Sequence, residues 1–471
     1  MNVDGVVVLS QKGRRKFVEN GKSFSFEKTS KDGATEFWKC DVRGTCKARL
    51  HIRDGQVVRR VNRHTHPEDA SKIEVLQALS VLRNRSVNTL EQTAQVVATS
   101  IENLSQAGKG ALPSIKNLKR RVQGKRVVAA AGPANPQNLV DLMIPQQFTR
   151  YEREPGVFED FLLHDSGPGA GEDRILIFST RRNLEILQRS SDWAMDGTFD
   201  IAPPLFSQIY SIHAVYLGRS HPLVFGILPS KRRTIYDAFF AGVLRLSNNL
   251  QPTTLITDFE MAAIQAAGAT FPNAVKSGCL FHLTQNIHRR VQNEGLQERY
   301  ETDANFALQC RMIGALAFVP PADVTNAFDA LAAHVPDELV PVLDYFEDTY
   351  IGRPNRRGVR RNPLFSIAFW NMYNRVLQRN DRTTNAVEAW HRGVKSMLGM
   401  IHPTIWKFIK GLIRCQKLRD VELEQLLAGH PPPPRKTVYI MRERRIETIV
   451  ADYANRPIRD YLRGLAYNIS H

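Results

Sequence analysis

Between residues 6 and 61, apolar and polar positions alternate in short runs: Val6–Leu9, Ser23–Glu27, Glu36–Cys40, Lys47–Ile52 and Val57–Val61. Each run has the period of two that turns one face of a strand inward. The dipeptides Asn20-Gly21, Asp32-Gly33 and Asp54-Gly55 punctuate this stretch with residues that tolerate the left-handed backbone of tight turns. A small antiparallel sheet follows from the pattern. From residue 72 the spacing changes. Ile73, Leu76, Leu79 and Leu82, then Leu90, Ala94, Val97 and Ile101, recur every three or four positions, as do Ile115, Leu118 and Val122 after Pro113. Short amphipathic helices are expected here, and the Ala, Gly and Pro residues of Ala129–Pro136 read as a linker.

From Trp193 onward, strands and helices interleave. Strands are predicted at Trp193–Phe199, Phe206–Leu217 and Pro222–Leu228, then a helix at Ile235–Leu246 and a strand at Thr254–Thr257. A helix at Met261–Ala267, a strand at Ala274–Cys279 and a helix from Leu283 follow. A three-strand meander followed by two helix-linked strands is the RNase H-like order, in which the first and fourth strands lie side by side. Farther along, Ala307–Ala317 and Ala322–Ala333 are Ala-rich helices, Pro431–Pro434 is a stiff polyproline spacer, and Val438 to about Leu465 is helical again.

Composition narrows the function. The chain has 471 residues, 42% of them hydrophobic, enough to bury several cores. Its net charge is +17, and residues 1–126 hold 25 Lys or Arg against 12 Asp or Glu, so +13 of that charge lies in the first quarter. Such a balance favours a polyanion held through phosphate contacts and counterion release, with nucleic acid first. Met1–Ser10 lacks the pattern of a secretory signal, and no run approaches the roughly 18 apolar residues of a membrane span, so a soluble intracellular protein is expected. Five cysteines make an odd, sparse set, better suited to metal ligation in a reducing compartment than to a disulfide framework.

Two of those cysteines, Cys40 and Cys46, lie in the β-rich segment with His64 and His66 downstream. So small a sheet buries little apolar surface and needs a staple. Two thiolates and two imidazoles suit tetrahedral zinc, whose binding then contributes to folding directly. Buried free cysteines beside surface histidines are the ordinary alternative, and His51 reads as a strand residue. Phe24 and Phe26, Trp38-Lys39-Cys40, Cys46-Lys47-Ala48-Arg49-Leu50 and His64-Thr65-His66 resemble the FLYWCH zinc finger over the whole segment, with Phe24 where that family more often has Tyr.

Asp196 lies inside the first strand of the interleaved region, and Asp258 closes the apolar run of the fourth. Two carboxylates in sheet environments repel one another and lose solvation, and a divalent cation with oxygen ligands, magnesium or manganese, compensates both. A third carboxylate from a later helix would let two ions straddle a phosphate, and Glu388 is the candidate. Taken singly each has an ordinary reading: Asp196 starts a turn with Gly197, Asp258 caps the next helix, Glu388 sits on a helix surface. Asp200 and Glu260 read as ordinary neighbours. Trp193-Ala194-Met195-Asp196-Gly197-Thr198-Phe199, Thr257-Asp258, Cys279-Leu280-Phe281-His282 and Thr384-Asn385-Ala386-Val387-Glu388-Ala389-Trp390-His391 resemble the Mutator-like element (MULE) transposases over roughly residues 150–420. The resemblance implies a cut-and-paste DDE transposase whose metals rest on Asp196, Asp258 and Glu388. It also implies a helical insertion between the last two, a dimer or larger assembly in a synaptic complex, and a place in the nucleus.

Other features are less specific. Cys279 and His282 offer two ligands, and His391 shares a helix face with Glu388; an orienting or DNA-contacting role, a second zinc site, or a packed Cys with a hydrogen-bonded His all suit them. Lys116, Lys119, Arg120, Arg121, Lys125 and Arg126 suit a nuclear import signal, a phosphate-binding face or a solvated helix. Arg353, Arg356, Arg357, Arg360 and Arg361 suit a DNA backbone contact or an exposed basic loop. Gly167-Pro168-Gly169-Ala170-Gly171 lacks the Lys and Ser/Thr of a phosphate loop and reads as a flexible loop. The last cysteine is Cys415, so the SWIM-type motif that often follows in MULE proteins is missing.

The whole reads as a multidomain α+β chain. It comprises a β-rich zinc finger (7–67), a helical basic connector (68–150), an RNase H-like α/β core (151–300) interrupted by a helical insertion (301–379), closing helices that carry the third carboxylate (380–430), and a Pro spacer with a helical tail (431–471). Its expected partner is double-stranded DNA, the terminal repeats of a transposon, and its expected work is strand cleavage and transfer. A domesticated, non-catalytic DNA-binding transcriptional regulator is the alternative, and a nuclease without strand joining would use the same residues.

Overall fold

The N-terminal strands form a meander in sequence order: β1 Val6–Leu9, β2 Arg15–Glu19, β3 Lys22–Thr29, β4 Glu36–Cys40, β5 Arg49–Arg53 and β6 Gln56–Val61, each antiparallel to the next. Asn20 and Gly21, at φ 47° and 68°, join β2 to β3, and Asp54 and Gly55, at 49° and 77°, join β5 to β6. Two successive positive φ values are what the twist of a two-residue hairpin demands. Strand β2 is absent from the alternation pattern because its charged ends mask it. Phe17 in its middle is nevertheless buried against Trp38, ring centroids 5.9 Å apart. These two, with Phe24, Leu50 and Ile52, are the apolar core of the sheet.

Four helices follow: α1 Ala70–Asn88, α2 Thr93–Ile101, the short α3 Gln106–Gly110 and α4 Ile115–Ala129. Helices α1, α2 and α4 close around Leu82, Val96, Val97, Leu118 and Val122, the face that the periodicity marked. Asp69 caps α1 by accepting from Lys72 N–H, and its own N–H donates to the Gly21 carbonyl, so the first helix is tied to the β2–β3 turn. Arg126 turns inward. Its guanidinium donates to the carbonyls of Ser86 at 3.2 Å, Thr89 at 3.4 Å and Glu91, satisfying the end of α1. That member of the basic cluster is structural, whereas Lys116, Lys119 and Arg120 are exposed.

This structure is a computed structural model. It describes residues 6–9, 14–42, 45–67, 69–89, 91–129, 133, 135–247, 249–380, 382–432, 434 and 436–469. Leu90 of the predicted helix, residues 130–132 and 134 of the predicted Ala129–Pro136 linker, and Pro433 of the proline run lie outside the described residues. The chain divides into two compact units, Met1–Pro133 and Ala134–His471.

The second unit opens with a hairpin, β7 Arg150–Glu154 and β8 Val157–Asp160, followed by β9 Leu162–Asp165, β10 Leu176–Phe178 and α5 Arg181–Arg189. The glycine-rich stretch expected to be a flexible loop contributes to a 3₁₀ turn over Pro168–Asp173. Then come β11 Asp192–Thr198, β12 Gln208–Tyr216, β13 Arg219–Leu228, α6 Arg233–Leu246, β14 Thr254–Thr257, α7 Met261–Thr270, β15 Val275–Gly278 and α8 Leu280–Asn293, in the predicted order. One seven-stranded sheet runs β15-β14-β11-β12-β13-β10-β9. The pairs β15–β14 and β14–β11 are parallel and the rest antiparallel, so the first and fourth predicted strands are neighbours. Helices α6 and α7 bury Tyr236, Phe239 and Ala266 with Trp193 and Met195 of the sheet. Residues of α15 Asn385–Leu398 and α16 Ile405–Leu427, among them Trp390 and Trp406, pack with Ile209 and Phe225.

A helical body fills much of the remainder: α9 Gln297–Thr302, α10 Ala304–Ala315, α11 Val324–Ala332, α12 Val340–Phe346, α13 Ile367–Trp370 and α14 Tyr373–Leu377. The predicted tail helix is two helices, α17 Thr437–Ala451 and α18 Ile458–Ala466, because Pro457 cannot continue a hydrogen-bond ladder and starts a new helix instead. Both pack into the helical body: Ile446, Val450, Tyr461 and Leu462 share one core with Ile313, Phe318 and Trp370. Among the described residues no helix is long and apolar enough to cross a membrane.

Candidate metal centres

In the first unit the four predicted ligands converge. Cys40, the last residue of β4, places Sγ 3.1 Å from His66 Nε2, Cys46 Sγ lies 3.4 Å from His64 Nδ1, and the two ring nitrogens are 3.1 Å apart. Tetrahedral zinc with bonds of about 2.3 Å to sulfur and 2.0 Å to nitrogen spaces its ligand atoms by roughly 3.3–3.8 Å. The three separations sit at or just inside that spacing, and all four atoms lie within 4.8 Å of one another. His66 Nδ1 is 2.9 Å from the Pro67 carbonyl; a proton donated there fixes the tautomer that leaves Nε2 free for the metal. Burial pushes the Cys46 thiol up, but hydrogen bonds from the backbone of Ala48 and Thr65 outweigh it and bring the group to about 7. Both cysteines are buried, and the cluster has the donor set and spacing that support Zn²⁺.

The second constellation is built on β11. Alternation along that strand sends Trp193 and Met195 to the α6–α7 side and Asp196 to the α15 side. Asp196 is 5% exposed, accepts a 2.9 Å bond from Gly197 N–H, and has Ser211 of β12 as its cross-strand partner. Helix α15 delivers the rest. Glu388 in its first turn and His391 one turn later share a face, which brings His391 Nδ1 to 3.8 Å from Asp196 Oδ2 and His391 Nε2 to 3.1 Å from Ser211 Oγ. The same hydroxyl lies 3.2 Å from buried His213 Nε2. From α8, His282 places Nε2 3.9 Å from Glu388 Oε1.

Asp196, His282 and Glu388 therefore form one cluster, with ligand atoms within 4.8 Å of one another. Asp258 follows β14 directly. The parallel pairing of Ala194 with Ile256 points to Asp196 and Asp258 as the next inward pair on neighbouring strands. Asp258 is outside the 4.8 Å group and accepts from Glu260 N–H at 3.1 Å, a local turn bond of the ordinary kind. The Asp258 and Glu388 charges are nevertheless felt at Asp196: burial first, then these two neighbours, hold its carboxyl well above the usual range. Burial, reinforced by the Glu260 charge, raises Asp258 to about 6, and burial raises Glu388 as well. The two histidines move the other way, His282 to about 4 and His391 to about 3, both through burial. The site is thus three carboxylates beside two neutral imidazoles, and Glu388 Oε1 and His282 Nδ1 are buried without a hydrogen-bond partner. A donor set of this kind could hold a metal ion.

Cys279 is outside the 4.8 Å group that holds His282. Its sulfur accepts from both the N–H and the hydroxyl of Thr384, at 3.2 Å each, which ties α8 to α15. Ser211 and His213 are the site residues that the sequence reading missed; the signal available was a pair of polar residues, two apart, inside the largely apolar β12. Lys231 also approaches, paired with Glu260 at 3.1 Å, while Asp200 is bound to Lys395 on the surface. Of the five arginines expected to contact DNA, Arg353 and Arg360 are engaged by Asp344, Glu347, Asp348 and Asp329, leaving Arg356, Arg357 and Arg361 exposed.

Residues 193–286 match the MULE transposase domain family, and residues 7–66 match the FLYWCH zinc finger domain. The first match spans β11 to α8, with Asp196, Asp258, Cys279 and His282, and ends before Glu388. No curated protein matches the chain.

Proposed function

Because this DNA-binding protein joins a FLYWCH zinc finger to a MULE transposase domain, we propose that it is a cut-and-paste transposase. In this reading the seven-stranded sheet is an RNase H-like core, α9–α14 are its insertion, and Asp196, Asp258 and Glu388 hold two divalent ions. The observation that carries the proposal is the cluster of buried Asp196 with half-buried Glu388 and His282, with orphaned polar atoms on the last two. Magnesium or manganese bound there would supply Lewis acidity for the attack of water or a 3′-hydroxyl on a phosphodiester.

The chain's own residues do the positioning. Asp196 is fixed by Gly197 N–H and faced by His391, itself held by Ser211, so its second oxygen has one direction. His282, neutral through burial, aligns Glu388 from the opposite side. The zinc finger recognises DNA, and Arg356, Arg357 and Arg361 offer sequence-independent phosphate contacts. The working form is a homo-oligomer on two transposon ends in the nucleus.

The decisive experiment is magnesium-dependent cleavage and joining of labelled DNA carrying the terminal repeats that flank the gene, with wild type beside Asp196→Asn. Excision products made by the wild type and lost in the variant support the proposal. Specific binding with no cleavage by either protein, where a positive control cuts, overturns it in favour of a DNA-binding regulator.

A further inference from the structure

The N-terminal unit carries a second cationic surface that the finger does not account for. Helix α4 has no Asp or Glu; Lys116 and Arg120 stand exposed on the side away from Leu118 and Val122, and Lys119 is exposed on its flank. Several cations elsewhere in the unit are paired with carboxylates: Arg15 with Glu36, Lys16 with Asp41, Lys72 with Asp69. Among the described residues none of the three on α4 makes an ion pair. Exposed like charges on one helix face repel one another and cost stability unless an anion comes to them.

An independent observation lies on the same face. Lys116, Arg120 and Gly124 follow one another at intervals of four, which puts them in a row along the helix. A Cβ at Gly124 would meet no atom within 4 Å, and its backbone is helical, so neither packing nor backbone strain within the protein asks for glycine. Glycine inside a helix is less favourable than alanine, and its bare backbone leaves room for a close approach by a ligand.

We propose that the outer face of α4 is a second DNA-docking surface, distinct from the finger, with Lys116, Lys119 and Arg120 on phosphates and the bare helix backbone at Gly124 seated against the duplex. Asn117 and Gln123 on this face supply the amide groups that can reach phosphate or base edges. DNA is favoured over an acidic protein because the amide side chains and an unshielded helix backbone suit close docking on a polyanion of regular shape. The inference rests on the DNA-binding reading of the chain and enlarges its footprint.

The test uses the full-length zinc-loaded protein and a random-sequence DNA duplex, titrated over a series of salt concentrations. The double variant Lys116→Ala/Arg120→Ala is expected to lower the slope of log affinity against log salt by about 1.8, two phosphate contacts at about 0.9 each. Gly124→Gln is expected to raise the melting temperature of the unit, since the helix gains a better former with room for it, and yet to weaken binding roughly tenfold. Unchanged zinc content in all variants shows that the finger is intact. An unaltered salt slope in the double variant overturns the surface, and wild-type affinity in Gly124→Gln overturns the close approach. Absence of DNA binding by the wild type itself defeats the underlying reading, so the two failures are distinguishable.

Discussion

Thr384 donates both its backbone N–H and its hydroxyl to Cys279 Sγ, and the two residues are the N-caps of α15 and α8. Glu388 lies four residues beyond Thr384 and His282 three beyond Cys279, so this pair sets the distance at which they meet. Burial raises the Cys279 thiol to about 11, which keeps the sulfur uncharged as the acceptor of both bonds. Cys279→Ala leaves two buried donors without a partner and is expected to lower stability by about 1–3 kcal/mol. Thr384→Ser keeps both donors and should remain close to wild type. Urea unfolding of the three proteins decides the point; equal midpoints for Cys279→Ala and wild type would remove the link.

For the carboxylates, Asp258→Asn is expected to reduce metal-dependent cleavage by about a hundredfold or more, while affinity for duplex DNA stays within about twofold. The amide preserves the shape of the side chain and its bond to Glu260 N–H while removing the charge that a cation needs. Cleavage assays and binding titrations on the same preparations separate the two quantities. Full cleavage by the variant would take Asp258 out of the site and leave Asp196, Glu388 and His282 as the whole of it.

Zinc is expected to hold the finger together. Its core is Phe17, Phe24, Trp38, Ala48, Leu50, Ile52 and the cysteines themselves, too small to offset the chain entropy of some sixty ordered residues at about 1–2 kcal/mol each. Cys40→Ser should release the metal and abolish the β-sheet signal of the N-terminal strands, leaving α5–α16 folded. Metal analysis and circular dichroism check this, and a folded, metal-free finger would contradict it.

How far the sequence reveals these features follows from physical scale. The finger strands announce themselves because Asn-Gly and Asp-Gly have few other uses, and the ligand spacing shows through because zinc tolerates few donor sets. Strand β2 and the hairpin β7–β8 stay hidden: Arg15, Lys16 and Glu19, and the acidic and basic run of β7, carry charges that ion-pair across the sheet, so no alternation of apolar and polar residues marks them. The Asp196–His391 contact is equally illegible. It depends on a helix almost two hundred residues downstream docking on the sheet, which no local pattern records.

The pair of half-buried Asp165 and buried Arg174 gives a pH dependence with a defined sign. Arg174 Nε and Nη2 bind both oxygens of Asp165 at 2.8 and 2.7 Å, and Nη1 reaches the carbonyls of Leu139 and Leu142. Burial alone would raise the Asp165 carboxyl; the Arg174 bond and the Gly167 N–H outweigh it and hold it below the usual range. A depressed carboxylate contributes its stability above the unfolded-state value near 3.9 and loses it as pH falls through the folded value. Asp165→Asn should therefore be less stable than wild type by about 2–4 kcal/mol at neutral pH, and the gap should close below about pH 4. Unfolding curves of both proteins from pH 7 to about pH 3 test this. A gap that persists at the acid end would assign the loss to packing instead.

The tail tests whether the helical body can stand without it. Leu462 of α18 is fully buried in the core shared by α10–α14, and the Tyr461 hydroxyl donates to the Phe318 carbonyl. A long interval of sequence separates these residues, so α17 and α18 complete a core that α10 and α11 begin. Leu462→Ala removes buried methyl groups and leaves a cavity, at an expected cost of about 2–5 kcal/mol. Deleting residues 437–469 exposes the faces of α10, α11 and α14 to water, and the remaining helices should lose cooperative unfolding and bind a hydrophobic dye. The sheet layer of α6, α7 and β11–β15 shares little of this core, so its own unfolding transition should persist in the truncated chain. Hydrogen exchange resolves the two layers: protection lost through α10–α14 but kept in β11–β13 is the expected result, and protection kept in both would show that the tail merely lies against a body already complete.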